Sequence, residues 1–127
     1  MLKGIHHIAI ICSNYEVSKK FYVDYLGFEI LRESNRSDRE SYKLDLTLNG
    51  EYCIELFSFP ETPKRQSKPE ACGLRHLAFM VEDIQLAIQK LTKFNIECEA
   101  IRVDQNTQKK FTFFNDPDQL PIELYQI

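Results

Sequence analysis

His7-Ile8-Ala9-Ile10 can be laid over His76-Leu77-Ala78-Phe79, and the correspondence runs on through both halves of the chain. Asn14 stands seven residues past the first histidine and Asp83 seven past the second. Both residue types cap helix N-termini, because a side-chain oxygen accepts a hydrogen bond from a backbone N–H that the helix leaves unpaired. After Asn14 the apolar positions Val17, Phe21 and Tyr25, with Tyr22 and Leu26, fall on one helical face; after Asp83 so do Ile84, Ala87, Ile88, Leu91 and Phe94. Gly27 and Asn95 then stand where each helix should stop, and these two residue types most readily take the left-handed conformation that ends one. Gly27-Phe28-Glu29-Ile30 matches Asn95-Ile96-Glu97-Cys98, and the tripeptide Ile-Glu-Leu closes both copies, at 54–56 and 122–124.

The His-to-Glu separation is 48 residues in the first copy (7 to 55) and 47 in the second (76 to 123). The halves are therefore in register to within one residue, and each reads as a strand, a helix and three more strands. The predicted elements are 5–12, 14–26, 28–33, 42–48 and 51–58, then 75–81, 83–94, 96–103, 110–114 and 120–126. Asn49-Gly50 signals a tight hairpin. Asn115-Asp116-Pro117-Asp118 signals a bend in which proline presets φ and the Asn and Asp side chains start the turn, a structural role for Asp116 and Asp118. Between the copies, Ser58 to Gly73 holds Pro60, Pro63 and Pro69 among mostly polar residues. Proline lacks the donor a sheet ladder needs, so this is a connector, and loops of such length are often lids or crossovers. The fold class expected is α+β, with tandem βαβββ modules 1–58 and 74–127 and a connector 59–73 within one domain, 1–127.

Composition narrows the function. At 127 residues and 43% hydrophobic, the chain suffices for one ordinary domain. Nineteen acidic and sixteen basic residues give a net charge of -3, and the basic residues are scattered, which leaves no footprint for nucleic acid. The longest apolar run, Ile8 to Cys12, is far below the roughly 20 residues of a membrane-spanning helix, and Met1 to Ile11 lacks the layout of a signal peptide. A cytoplasmic protein that binds a small molecule is expected, without nucleic-acid or membrane partners. Cys12, Cys53, Cys72 and Cys98 show no CxxC spacing, so they are expected to be reduced thiols rather than a metal finger.

Strand side chains alternate faces, so His7 goes with Ala9 and Ile11, and His76 with Ala78 and Met80, while the bulkier Ile8, Ile10, Leu77 and Phe79 face the helices. Glu55 shares a face with Cys53 and Phe57, and Glu123 with Pro121 and Tyr125. A carboxylate embedded in an apolar strand needs a partner. One divalent cation would serve both, since two imidazoles and two carboxylates cancel its charge and make an N2O2 shell suited to Zn, Ni, Co, Mn or Fe. Each of these residues alone has an ordinary structural explanation; the recurrence of the pair at near-equal spacing is what makes His7, Glu55, His76 and Glu123 a ligand set. His6 has Arg75 as its counterpart, lies on the opposite face, and reads as structural or solvent-facing. Cys53 borders this region but reads as a small hydrophobe. A two-residue turn at Asn49-Gly50 puts Leu44 across from Glu55 and Asp45 on the helix side; a bulge would reverse this.

Paired βαβββ units, each opening with a ligand histidine and closing on Ile-Glu-Leu, resemble the vicinal oxygen chelate superfamily over essentially the whole chain. More narrowly, GLRHLAF, CIELFSFP and FTFFNDPDQLPIELY are similar to small bacterial YaeR-like, glyoxalase-related proteins. The resemblance implies two cups of curved mixed sheet with outer helices and a metal inside. It also implies that His7, Glu55, His76 and Glu123 match the ligands of bacterial-type glyoxalase I, and that the chain forms a homodimer. That enzyme has an Arg four residues after its first ligand His and an Asn four after its first ligand Glu, both holding glutathione. Ile11 and Phe59 stand in those places here, so the glutathione contacts are not carried over.

A cation with four protein ligands keeps two neighbouring positions for substrate oxygens and stabilises an enolate or enediolate formed by proton removal beside a carbonyl. The expected function is thus a glyoxalase-type lyase, isomerase or epimerase, with Glu123 or Glu55 as base and the histidines as ligands throughout. The alternatives are a metal-free binding protein like the bleomycin-binding members of the superfamily, or an Fe-dependent extradiol dioxygenase. The dioxygenase needs only one carboxylate ligand, so Glu55 counts against it. Thiol transfer to fosfomycin is disfavoured because that branch resembles a His-His-Glu set. Whether one chain or two supply the four ligands stays open. Arg32 to Glu40 and Asp104 to Lys110 read as edges, with Lys109 and Lys110 as candidate contacts for an anionic substrate and a solvated loop as the plainer account.

Overall fold

A computed structural model describes residues 1–127. Asn14 and Asp83 cap as their spacing predicts: their side chains accept from the amides of Val17 (3.2 Å) and Leu86 (3.0 Å). The first copy runs β1 (Ile8–Cys12), α1 (Tyr15–Lys20), β2 (Glu29–Arg36), β3 (Ser41–Leu48) and β4 (Glu51–Ser58). The second runs β5 (Leu77–Val81), α2 (Ile84–Thr92), β6 (Arg102–Val103), β7 (Lys110–Asn115) and β8 (Pro121–Gln126). The strands form two four-stranded mixed sheets, ordered β1-β4-β3-β2 and β5-β8-β7-β6. In each the first strand pairs parallel with the last, and the other pairings are antiparallel. The chain divides into two compact units, Met1–Lys64 and Arg65–Ile127.

The core of each unit lies on the face its sequence pattern predicts. Ile10, Cys12, Leu44, Leu46, Ile54 and Leu56 are buried together with Phe21, Tyr22 and Phe28 in the first unit. Leu77, Phe114, Ile122 and Leu124 are buried with Ile84 and Leu91 in the second. Gly27 and Asn95 end their helical segments at φ of 84° and 60°, in the left-handed region. Asn49 and Gly50 both have positive φ, as the tight hairpin between β3 and β4 requires. Asp116 is buried, and its Oδ1 accepts from the amides of Asp118 and Leu120, which confirms its turn role. All four cysteines are free thiols, and no helix is long and apolar enough to cross a membrane.

Four local expectations fail, each for a visible reason. Val17 is exposed, and α1 instead buries Tyr15 and Ser18. Beyond Lys20 the helix widens to a π-helical turn over Phe21–Tyr25, so residues on either side no longer share the 3.6 period. Phe94 is likewise exposed, because α2 has already ended at Thr92. The predicted strand 96–103 is reduced to Arg102–Val103. Alongside β7, Glu99 makes one ladder-like bond (N to Phe113 O, 2.9 Å), but its carbonyl accepts from the Thr112 hydroxyl (2.7 Å), so a side chain takes the place of the next backbone donor. Finally, β2 runs on to Arg36, past the predicted end at 33, as the edge strand of its sheet; 104–110 is the largely exposed loop the sequence suggests, closed through Asp104 N–Lys109 O (2.8 Å) and Gln108 N–Asp104 O (2.7 Å).

Candidate metal-binding pairs

Parallel pairing of β1 with β4 sets Ala9 beside Glu55, and pairing of β5 with β8 sets Ala78 beside Glu123. The small alanine side chains leave room over the strand, and the histidine two residues earlier closes on the carboxylate. His7 Nε2 lies 3.2 Å from Glu55 Oε2, and His76 Nε2 lies 3.1 Å from Glu123 Oε2. The carboxylates are 14% and 13% exposed and the imidazoles 35% and 27%, so each pair is an acid group sunk in the sheet with a histidine at its mouth. Neither pair is part of a group of three or more His, Cys, Asp or Glu side chains placed to hold a metal ion.

The surroundings of the two pairs differ. Asp45 stands opposite Glu55, because an extra residue at Cys53 shifts the β3–β4 register between Leu46 and Thr47. The bulge alternative is therefore the one realised, and Asp45 does not face the helix. The same bulge turns Tyr52 towards Glu55, which simple alternation would forbid: its hydroxyl donates to Glu55 Oε1 at 2.6 Å and lies 3.3 Å from Asp45 Oδ1. Lys43 Nζ reaches Glu55 Oε1 (3.1 Å) and Asp45 Oδ1 (3.4 Å), and Arg32 Nε donates to Asp45 Oδ2 (2.8 Å). The Tyr52 hydroxyl, aided by Lys43, holds the Glu55 carboxyl below its usual range despite burial. Burial is the largest single influence on Asp45 and pushes its carboxyl up, but Arg32 and Lys43 together outweigh it and the net shift is downward.

His6 also belongs to this site. Its Nδ1 is 2.8 Å from Nδ1 of His7, and both rings pack against Tyr52 at centroid distances of 5.2 and 5.5 Å. His6, His7, Tyr52 and Cys53 share the lining of a cleft of about 260 Å³. His6 is exposed, as its sequence reading expects, yet its ring meets His7 rather than lying on the opposite face, because Ile8 is the first residue of β1 and strand alternation does not reach residues 6 and 7. Tyr52 and Lys43 were invisible as site residues for the related reason that their face depends on the bulge; Asp45, an acid flanked by leucines, was the one sign of it in the sequence.

In the second unit Phe113 stands opposite Glu123, where the first unit has Asp45. The His76 ring meets Phe113 edge to face at 5.1 Å, and Arg102 stacks over Phe111 and Phe113 at 4.9 and 5.4 Å. Glu123 thus has His76 as its ion-pair partner and an aromatic wall, with no tyrosine or lysine donor. The donor chemistry suits a divalent ion. With ligand bonds of about 2.1 Å, two neighbouring ligands of an octahedral ion lie about 3 Å apart, close to the separation found in both pairs.

Residues 4–124 match the Glyoxalase/Bleomycin resistance protein/Dioxygenase superfamily. The chain is similar to YwkD of Bacillus subtilis (strain 168), at 63% identity over 126 residues covering 99% of this chain and 98% of that protein. It is also similar to YaeR of Escherichia coli (strain K12), at 62% identity over 125 residues covering 98% and 97%. The crystal structure of the glyoxalase family protein from Enterococcus faecalis superposes with a TM-score of 0.91 at 52% identity, over 98% of each chain.

Proposed function

Because the chain belongs to the glyoxalase, bleomycin resistance protein and dioxygenase superfamily, we propose that it is a divalent-metal-dependent lyase, isomerase or epimerase acting on a small oxygen-bearing metabolite. Its metal ligands in this reading are His7, Glu55, His76 and Glu123, with the first pair drawn from one copy of a homodimer and the second from the other. The observation that carries the reading is the repeated His–Glu pair, set at 3.2 and 3.1 Å on equivalent strands. A bound cation supplies Lewis acidity to substrate oxygens next to the carbon that loses its proton.

The two carboxylates divide the remaining work. Glu55 Oε1 already accepts from Tyr52 and Lys43, so its lone pairs are committed and its basicity is reduced. Glu123 carries no such donors and lies beside the Phe113 ring, a wall that excludes water on that side. Glu123 is therefore the base that takes the proton beside the substrate carbonyl and returns it to the same or the neighbouring carbon, giving an epimer or isomer. His7 and His76 hold their positions throughout.

The test is metal analysis of the purified protein beside a His7→Ala variant, followed by a screen of hemithioacetals, acyl-CoA epimers and catechols. We expect about one divalent ion per chain in the wild type and an affinity loss of at least ~100-fold in the variant, more than removal of an outer-shell partner costs. On any substrate found, Glu123→Gln lowers turnover by ~100-fold or more at full metal loading. Equal trace metal in wild type and His7→Ala would overturn the metal reading and favour sequestration of a small molecule, and wild-type turnover by metal-loaded Glu123→Gln would remove Glu123 as base.

A further inference from the structure

The second unit contains a cleft of about 620 Å³ between the segment 65–75 and the ends of β7 and β8. Phe113 and Pro121 line it from the sheet. Phe113 is the residue opposite Glu123 and edge-on to His76, so the cleft opens beside the second His–Glu pair. Two acids line the cleft, and both are already paired: Glu99 with Arg102 at 3.1 Å and Glu70 with Arg75 at 2.8 Å. Arg65 and Lys68, which also line it, have no carboxylate partner. In a chain of net charge -3, this is a local excess of positive charge.

Arg65 is fixed in place without being neutralised. Its Nη2 donates to the carbonyls of Leu74 (2.7 Å) and Arg75 (2.9 Å), and its Nε donates to the Ser67 hydroxyl (3.0 Å). All three acceptors are uncharged, so the guanidinium keeps its charge and is half-buried in a set orientation. With Nε and Nη2 committed to these acceptors, Nη1 is the nitrogen left to donate, and an anchored guanidinium offers that charge-assisted hydrogen bond to one oxygen of a carboxylate or phosphate at little cost in side-chain entropy. The Arg75–Glu70 pair is solvent-exposed on both sides and so contributes little, which leaves Arg75 free to exchange Glu70 for an incoming anion.

We propose that this cleft binds an anionic group of the substrate, a carboxylate or a phosphate, through Arg65, Lys68 and Arg75, with the carbon skeleton lying over Phe113 towards His76 and Glu123. That the anion belongs to a substrate rests on the function proposed above; the anion site itself does not. It also moves the anion contact from Lys109 and Lys110, the sequence candidates, to the connector between the two repeats.

The test is an amide and arginine-side-chain NMR titration of the full chain in the presence of EDTA, with inorganic phosphate and with malonate as separate probes. We expect saturable shifts confined to residues 65–75, Phe113 and the Arg65 Nε–H for at least one probe, weakened by added salt. The tighter probe identifies the anion type. Lys68→Gln/Arg75→Gln should lower the affinity at least ~10-fold, and a His76→Ala chain should retain it. Arg65 is left unchanged because it also pins the connector. Shifts that do not saturate with either probe, or equal affinity in the double variant, would overturn the proposal even if the protein binds metal. Saturable binding by a protein that holds no metal would leave the anion site standing and overturn only the metal reading.

Discussion

Mixing a His7→Ala/Glu55→Ala chain with a His76→Ala/Glu123→Ala chain, after brief denaturation and joint refolding, restores about one bound cation per four chains, although neither variant holds one alone. The expectation follows from the symmetry of a two-copy site. In the mixed dimer one of the two shells combines both damaged pairs and the other combines both intact pairs. Nickel or zinc binding by calorimetry would read the recovery directly, from no binding in either variant to about a quarter of the wild-type capacity, because random pairing makes about half of the dimers mixed. If both pairs of a shell came from the same chain, every chain in the mixture would carry a damaged shell and no binding would return. The starting point is that each repeat supplies one His–Glu pair at near-octahedral spacing, half of a four-ligand shell.

Removing both cations that hold Asp45, in an Arg32→Ala/Lys43→Ala chain, destabilises the protein by about 3 kcal/mol at neutral pH. This is the lower end of the cost of stripping a buried charge of its partners, because Arg32 extends into solvent and its share is screened. Asp45 is 2% exposed, and in the variant only the Tyr52 hydroxyl remains beside it. In the wild type, burial acts to raise the Asp45 carboxyl but Arg32 and Lys43 outweigh it, so the folded state favours the ionised form. That contribution is complete above the unfolded carboxyl pKa of about 3.9 and is lost as pH falls through the lower folded value. In the variant burial is opposed only by the Tyr52 hydroxyl, so the folded carboxyl moves up and ionisation opposes folding at neutral pH. Acid therefore narrows the gap between the two proteins, and Asp45→Asn in the variant background recovers part of it at pH 7. Urea midpoints across pH 4 to 8 check this; a parallel offset at every pH would show that Asp45 is not the group responsible.

The repeat made most of the architecture legible. Asn14 and Asp83, Gly27 and Asn95, and the two Ile-Glu-Leu tripeptides mark helix starts, helix ends and last strands in both copies, and each signal acts locally through capping or backbone conformation. What stayed hidden depends on position along a strand. The bulge at Cys53 decides which side Lys43, Asp45 and Tyr52 present to Glu55, and a single extra residue there leaves no mark in composition. Residues 6 and 7 precede the first ladder residue, so the contact of His6 with His7 follows from chain ends rather than alternation. The difference between the two carboxylates was likewise out of reach: Ile-Glu-Leu is identical in both copies, and the donors to Glu55 come from other parts of β3 and β4.

Anomalous diffraction from crystals grown with nickel or zinc addresses the assignment of the four ligands most directly. The account predicts one anomalous peak per chain, bonded to Nε2 of His7, Nε2 of His76 and a carboxylate oxygen each of Glu55 and Glu123. No peak at either pair in crystals soaked with excess ion, or peaks held by other side chains while the two His–Glu pairs stay closed on themselves, would contradict it.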